Sequence, residues 1–224
     1  MRMAYLRQFY VFIILLFLYF PLFILVIHSF NNTTYSTQWS GFSLKWFSAL
    51  IHDQDLLTAL SHSIILGLCS ATISTLLSVV SCIMIVLHGN RHAIARFLFM
   101  PAFLMILPDL ILGIGFMLIF NLAQVPLGFL SLLIAHITFS IPFIIFTIFN
   151  QIARFNRNFY FAALDLGASR FYTWKKIILP ILFPSLMSGF LLGFTLSFDD
   201  VVISYFVSGP EFNILPLTIL SMIR

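Results

Sequence analysis

The chain has 224 residues, of which 61% are hydrophobic and only 8% charged, with a formal net charge of +4. A soluble domain carries about a quarter charged residues, so this composition, with a mean hydropathy of +1.09, excludes a water-soluble globular protein and places the chain in a bilayer. Uninterrupted apolar runs lack the alternation of a membrane barrel, which leaves an all-α integral membrane protein, a polytopic helical bundle.

A membrane span needs about 20 largely apolar residues, and the sequence supplies five such spans. The first runs from Gln8 to Ile27, behind Arg2 and Arg7. It is longer than a signal-peptide core and no Ala-x-Ala pattern follows, so it reads as a retained span, bent at Pro21. The polar loop from His28 to Leu57 contains Asn31-Asn32-Thr33-Thr34, Trp39, Trp46, Asp53 and Asp55, and should lie outside with its aromatics near the interface. Within it, Gly41 to Phe47 reads as an amphipathic segment on the membrane face.

The second span, Ala59 to Leu87, carries Ser63, Gly67, Ser70, Ser74, Ser78 and Ser81 every three or four residues, a stripe that permits close helix packing. Cys69 and Cys82 lie in this one helix, roughly 20 Å apart at the helical rise, too far for a disulfide. His88 to His92 is an inner turn. The third span, Phe97 to Phe120, is broken at Pro108-Asp109 about 12 residues in, roughly 18 Å along and so near mid-bilayer. Asn121 to Pro126 turns outside. The fourth span, Leu127 to Phe149, contains His136, Thr138, Ser140 and Pro142.

The longest ordered interruption follows, from Phe161 to Pro184. It reads as two short helices folded back on each other. Gly167 ends the first, because glycine accepts the left-handed conformation that stops a helix. Ser169 caps the second, and Ala162, Ala163 and Ala168 let another protein approach the backbone. Pro180 and Pro184 fit the first turns of the fifth span, Pro180 to Phe206, where a missing N–H costs little. Gly189, Gly193 and Ser197 form a second small-residue stripe there. Ser208-Gly209-Pro210 turns the chain outside, and Glu211 to Arg224 has no room to cross back.

In this topology nine of the eleven Lys and Arg (Arg2, Arg7, Arg91, Arg96, Arg154, Arg157, Arg170, Lys175 and Lys176) fall on one side, against Lys45 and Arg224 on the other. The basic side, and the N-terminus with it, is therefore cytoplasmic. The positive charge sets orientation, and no nucleic-acid-binding motif or aromatic-basic patch accompanies it.

Ionisable residues inside spans are costly and mark bundle interiors or water cavities, so the acids are the candidate substrate-path residues. Asp109 is either a cation contact on the path or a carboxylate that satisfies backbone N–H groups freed at the break. Asp199 and Asp200 point about 100° apart in a regular helix, so one lines the path and the other caps or pairs. Glu211, in an outer loop, is a solvated surface acid or a contact for a delivered substrate or a binding protein. His136 reads as a hydrogen-bonded packing residue rather than a ligand or proton carrier. No catalytic constellation, no Cys/His metal spacing and no cofactor motif is present, and no Gly-rich Lys-Ser/Thr phosphate loop. A nucleotide site, if transport consumes ATP, belongs to another chain.

The run Ala162-Ala163-Leu164-Asp165-Leu166-Gly167-Ala168-Ser169, with Leu179-Pro180 and Pro184 beyond it, resembles the coupling loop of ABC importer permeases. Phe161 stands where that motif has glutamate. Leu196 to Ser204, Gly209-Pro210, Ile214 to Leu217, Ala135 to Phe139 and Asn150 to Phe155 are similar to the spermidine/putrescine subgroup, and the similarity extends from about Tyr19 to Arg224. The resemblance implies a bacterial inner-membrane permease subunit with residues 1–58 as anchoring span and periplasmic loop. Residues 59–224 would form the transmembrane core, with the coupling loop at about 153–178. It further implies a cytoplasmic ATPase docked on that loop, a second permease subunit, a periplasmic binding protein and the surrounding lipid as partners. Family members usually have six spans, so a chain ending at Arg224 is expected to lack the last, as a truncated or shorter form. Two other readings stand beside an importer: an ion-gradient-driven secondary transporter or channel, and a non-transporting remnant. Thiamine, iron and phosphonate permeases of related type are the other substrate classes.

Overall fold

The first helix, α1 (Arg2–His28), is apolar from Phe9 to Ile27 and passes through Pro21 without ending. The structure, a computed structural model, describes residues 2–33, 38–154 and 157–223; the expectations that fall on Thr34, Phe155, Asn156 and Arg224 lie outside them. The described residues are helices and turns, with one isolated bridge between Asn31 and Phe42. Two compact units are formed, Met1–Leu57 and Thr58–Arg224.

In the first unit the chain leaving α1 is organised by Asn31, which is buried. Its side-chain amide donates to Gln38 O at 2.9 Å and its Oδ1 accepts from Ser40 N at 3.0 Å. Its backbone oxygen accepts the indole N–H of Trp46 at 2.9 Å. Phe30 stacks on both Phe42 and Phe47, with ring centres 5.3 and 5.1 Å away. The amphipathic helix α2 (Lys45–His52) starts later than the expected segment. Gly41, at φ +126°, holds the chain before it in a turn only glycine adopts readily.

The second unit is built on α3 (Gln54–His88), α4 (Arg91–Ile106), α5 (Asp109–Leu122) and α6 (Phe129–Arg154). The Asn90 side chain caps α4 by accepting Ala93 N at 2.8 Å. Between α4 and α5 the axis bends by 102°. The cause is local: Pro108 forces Leu107 out of the helical region, and both residues adopt extended dihedrals. The third span is therefore two helices at nearly a right angle, broken where Pro108-Asp109 was expected to break it. Among the described residues, four helices are long and apolar enough to cross a membrane, five if this bent pair counts as one span.

After α6 come α7 (Arg157–Asp165) and α8 (Arg170–Thr173). The second helix starts where expected, capped by Ser169, but it does not end before a separate membrane helix at Pro180. Instead α8 continues through a π-helical turn, Trp174–Ile178, into α9 (Leu179–Phe198). Leu179 N bonds to Trp174 O, five residues back. A proline inside a helix clashes with the carbonyl four residues earlier and donates nothing to it. The wide turn just before Pro180 is the local adjustment that lets the helix run on. The same span also ends earlier than the expected Phe206: it breaks after Phe198, and α10 (Val202–Val207) and α11 (Leu215–Ile223) follow.

Two apolar clusters bracket the unit. One joins Cys82 and Val86 of α3, Ile144, Ile148 and Ile152 of α6, Ile178 and Leu182. The other joins Leu66, Phe120, Leu132, Ala135, Ile203 and Val207. Small residues let the helices touch. A Cβ on Gly193 of α9 would lie 3.5 Å from Ala71 Cα and 3.5 Å from Ser74 Oγ of α3, and 2.8 Å from Ile144 Cδ1 of α6. Ser63, Ser70, Ser74 and Ser78 are all buried on α3, so the small-residue stripe is a packing surface. Cys82 is buried and Cys69 half-buried, and both are free thiols.

Candidate functional site

The first candidate site is the elbow between α7 and α8, and its backbone explains its sequence. Gly167 has φ +82°. Gly167 N bonds to Leu164 O at 2.9 Å and Ala168 N to Ala163 O at 3.0 Å. This is the paired-bond helix stop that needs a left-handed residue after the last turn. Ser169 then caps α8, its hydroxyl accepting Tyr172 N at 3.2 Å and its carbonyl accepting Thr173 Oγ1 at 3.1 Å. Ala163 faces the protein body and is buried, and Ala168 is half-buried. Ala162, Asp165, Gly167 and Ser169 are exposed. Leu166 is 88% exposed, Phe171 76% and Phe161 55%. The elbow thus offers an apolar outward rim, with Phe161 on it. Pro180 is exposed in the first turn of α9, beyond the elbow proper.

The second candidate site gathers where two helices start. Asp109 is the first residue of α5, in its first turn, and is exposed. Asp200 precedes α10 and caps it. Its carboxylate accepts Ser204 N at 2.7 Å, Ser204 Oγ at 2.8 Å and Ile203 N at 3.3 Å. One turn along α5 from Asp109, a Cβ on Gly113 would lie 3.3 Å from Ile203 Cα, so α5 and α10 run in direct contact.

Asp199 and Asp200 are not in a regular helix, contrary to the sequence expectation. Asp199 closes α9, with φ −101° and ψ 0°, and its N–H still bonds to Thr195 O. Its side chain is exposed and makes no hydrogen bond among the described residues. The Asp200 side chain is only 7% exposed. The break between them separates their environments more completely than a 100° rotation would. Glu211 is exposed in the turn between α10 and α11, and no contact ties it to the other acids.

His136 sits behind this break, 1% exposed. Its Nδ1 lies 2.6 Å from Ser197 Oγ and its Nε2 lies 2.9 Å from Ser204 Oγ and 3.6 Å from Asp200 Oδ2. The protons can be placed by counting. Ser204 Oγ has one hydrogen and donates it to Asp200, so it accepts from His136 Nε2–H. Nδ1 pairs with Ser197 Oγ, so a chain of hydrogen bonds joins Ser197, His136, Ser204 and Asp200 across α9, α6 and α10. Ser197 is legible only as a small residue and Ser204 only as part of the stretch Leu196 to Ser204, because nothing in the sequence pairs them with a histidine more than 60 positions away.

Further ties close the outer end of the unit. Ser131 Oγ donates to Val207 O at 2.7 Å and accepts Gly128 N at 2.8 Å. An apolar groove of about 330 Å³ lies between Met100 and Pro101 of α4 and Thr138 and Pro142 of α6. It carries no charged side chain, so it offers a cation nothing.

Comparison with known proteins gives the chain a context. Residues 56–223 match the family model described as binding-protein-dependent transport system inner membrane component. The chain is 40% identical to the spermidine/putrescine transport system permease protein PotC of Escherichia coli K12, over 93% of this chain and 78% of that one. It is 38% identical to PotC of Haemophilus influenzae, over 100% of this chain and 87% of that one. It is 34% identical to the putrescine transport system permease protein PotI of Escherichia coli K12, over 93% and 76%.

Proposed function

We infer from the family to which this chain belongs, the binding-protein-dependent transport system inner membrane components, that it is the membrane-spanning permease subunit of an ATP-driven polyamine importer. It is a multi-pass inner-membrane transport protein, not an enzyme. The observation that carries the substrate is the pair of relatives transporting spermidine or putrescine, joined to a chain that keeps acids at a helix break in its membrane core.

The orientation that fits the charge bias puts the N-terminus and the elbow in the cytoplasm, with residues 1–58 as anchor and 59–224 as core. A cytoplasmic ATPase docks on the elbow from Ala162 to Ser169, against its apolar rim. Gly167 sets the angle of that elbow. A second permease subunit completes the path, and a periplasmic binding protein delivers the substrate. Dehydrating a polycation is costly unless its charges are matched. Asp109 and Asp199, both exposed, are the acids available to match them; Asp200 is committed to α10 and His136. Glu211 meets the substrate outside.

The test is uptake of radiolabelled spermidine and putrescine into vesicles containing this chain with its partner permease, ATPase and binding protein. ATP-dependent accumulation of both, insensitive to an uncoupler that collapses ion gradients, is expected. Accumulation that follows the ion gradient and ignores ATP would instead establish a secondary transporter. No specific observation favours that reading.

A further inference from the structure

We infer that His136 is a positioning residue of the transport path: it fixes the break between α9 and α10 and so keeps Asp199 turned out while Asp200 is held in. The inference deepens the path reading of Asp199 given above and rests on it.

Three observations carry it. His136 bonds both flanks of the break, Ser197 at the end of α9 and Ser204 in α10, from a third helix, at 2.6 and 2.9 Å. Its hydrogen bonds lead through Ser204 to Asp200, the cap of α10. Its burial is nearly complete, at 1% exposure. A residue needed only to fill space here would be apolar, because burying two ring nitrogens is unfavourable unless both are bonded. Both are. The arrangement sets the orientation of two chain segments at once, which a leucine of similar volume cannot do. Without the imidazole, Ser197 and Ser204 lose their shared partner. Asp200 then keeps its local cap to Ser204 N but loses the link to α6 and α9. The three residues between α9 and α10 are then free to rotate, and with them the side chain of Asp199.

The test reads the exposure of position 199 directly. The full chain, co-expressed with its partner permease and ATPase, carries Cys69→Ser to remove the half-buried thiol, and either Asp199→Cys or Glu211→Cys as the reporter. The initial rate of labelling by a membrane-impermeant maleimide is measured in open membrane sheets. With His136 present, position 199 labels readily. In His136→Leu that rate falls about fivefold, the scale of one lost buried hydrogen bond, while position 211 stays within about twofold. His136→Gln, which can still bond one serine, falls less. Ser204→Ala, a milder change that removes one link, slows labelling at 199 in the same direction. Unchanged labelling at 199 in His136→Leu and Ser204→Ala would overturn the inference. An equal loss at 199 and 211 would also overturn it, by assigning His136 to general packing. Labelling needs no transport, so the result stands apart from the uptake assay that tests the importer reading.

Discussion

The hydroxyl of Ser63 accepts the backbone N–H of Leu215 at 2.8 Å, across 152 positions of sequence. It serves as a cap supplied from another helix, since Leu215 opens α11. The neighbouring His62 adds Nδ1 to Asn213 O at 2.9 Å and stacks on Phe212 with ring centres 4.1 Å apart. Ser63→Ala leaves the Leu215 N–H without its partner, at a cost of about 1 kcal/mol. Hydrogen exchange over residues 213–223 should then speed up, with α6 unchanged. Ser221→Ala, whose hydroxyl bonds only within its own helix, should have no such effect. Equal exchange in both variants would mean the cap does not hold α11.

The two adjacent acids should separate by assay. Asp200→Ala strips the acceptor from Ser204 N, Ser204 Oγ and Ile203 N, which costs about 1–3 kcal/mol. The midpoint of thermal unfolding in detergent should fall. Asp199→Ala breaks no hydrogen bond and should leave that midpoint in place, while weakening apparent affinity for spermidine about tenfold, the scale of one charged hydrogen bond. Identical behaviour of the two variants in both assays would contradict the division of roles.

At the elbow, a Cβ on Gly167 meets nothing within 4 Å. Only its φ of +82° constrains the residue. A β-branched side chain there is strained by about 1–2 kcal/mol or more, whereas asparagine tolerates that region. Gly167→Val should therefore lose ATPase retention in co-purification while still inserting in the membrane, and Gly167→Asn should keep most of it. Loss in both would point to a clash with the partner rather than to backbone strain.

The glycines of the membrane core should divide by space rather than by conformation. Gly193→Ala asks only the end of Ile144 to move, but Gly193→Leu drives α9 off Ala71 and Ser74 of α3. Overpacking of this kind costs about 1–3 kcal/mol, and a leucine exceeds a single added methyl. Gly115 faces open space, so Gly115→Ala should be neutral or slightly stabilising. Yield of folded protein on size-exclusion chromatography checks the order Gly115→Ala, Gly193→Ala, Gly193→Leu.

Local signals carry the fold furthest. The break at Pro108 and the helix stop at Gly167 follow from residues that restrict their own backbone or their neighbour's. The stripe of serines on α3 follows from spacing alone. Two local signals mislead. Pro180 reads as a helix start, because proline favours the first turn; a π-helical turn just before it lets the helix continue from Arg170 to Phe198. Asp199 and Asp200 read as part of a regular helix, because the apolar run continues on either side of them. The cap that starts α10 is made by the side chain of Asp200, and a capping signal inside a hydrophobic run looks like an ordinary charge.

What the sequence determined by itself is the membrane class, the approximate places of the apolar helices, the elbow and the short list of acids. Each is written in composition, run length or a few consecutive residues, and the physics that reads them is one-dimensional. Which acid is held and which is free was decided only by the tertiary structure. His136 lies 61 positions from Ser197 and 68 from Ser204, and Ser63 lies 152 from Leu215. Hydrogen bonds over such separations exist only once α6, α9, α10 and α3 have packed, because a donor and an acceptor bond by distance and angle, and neither is a property of the chain before it folds.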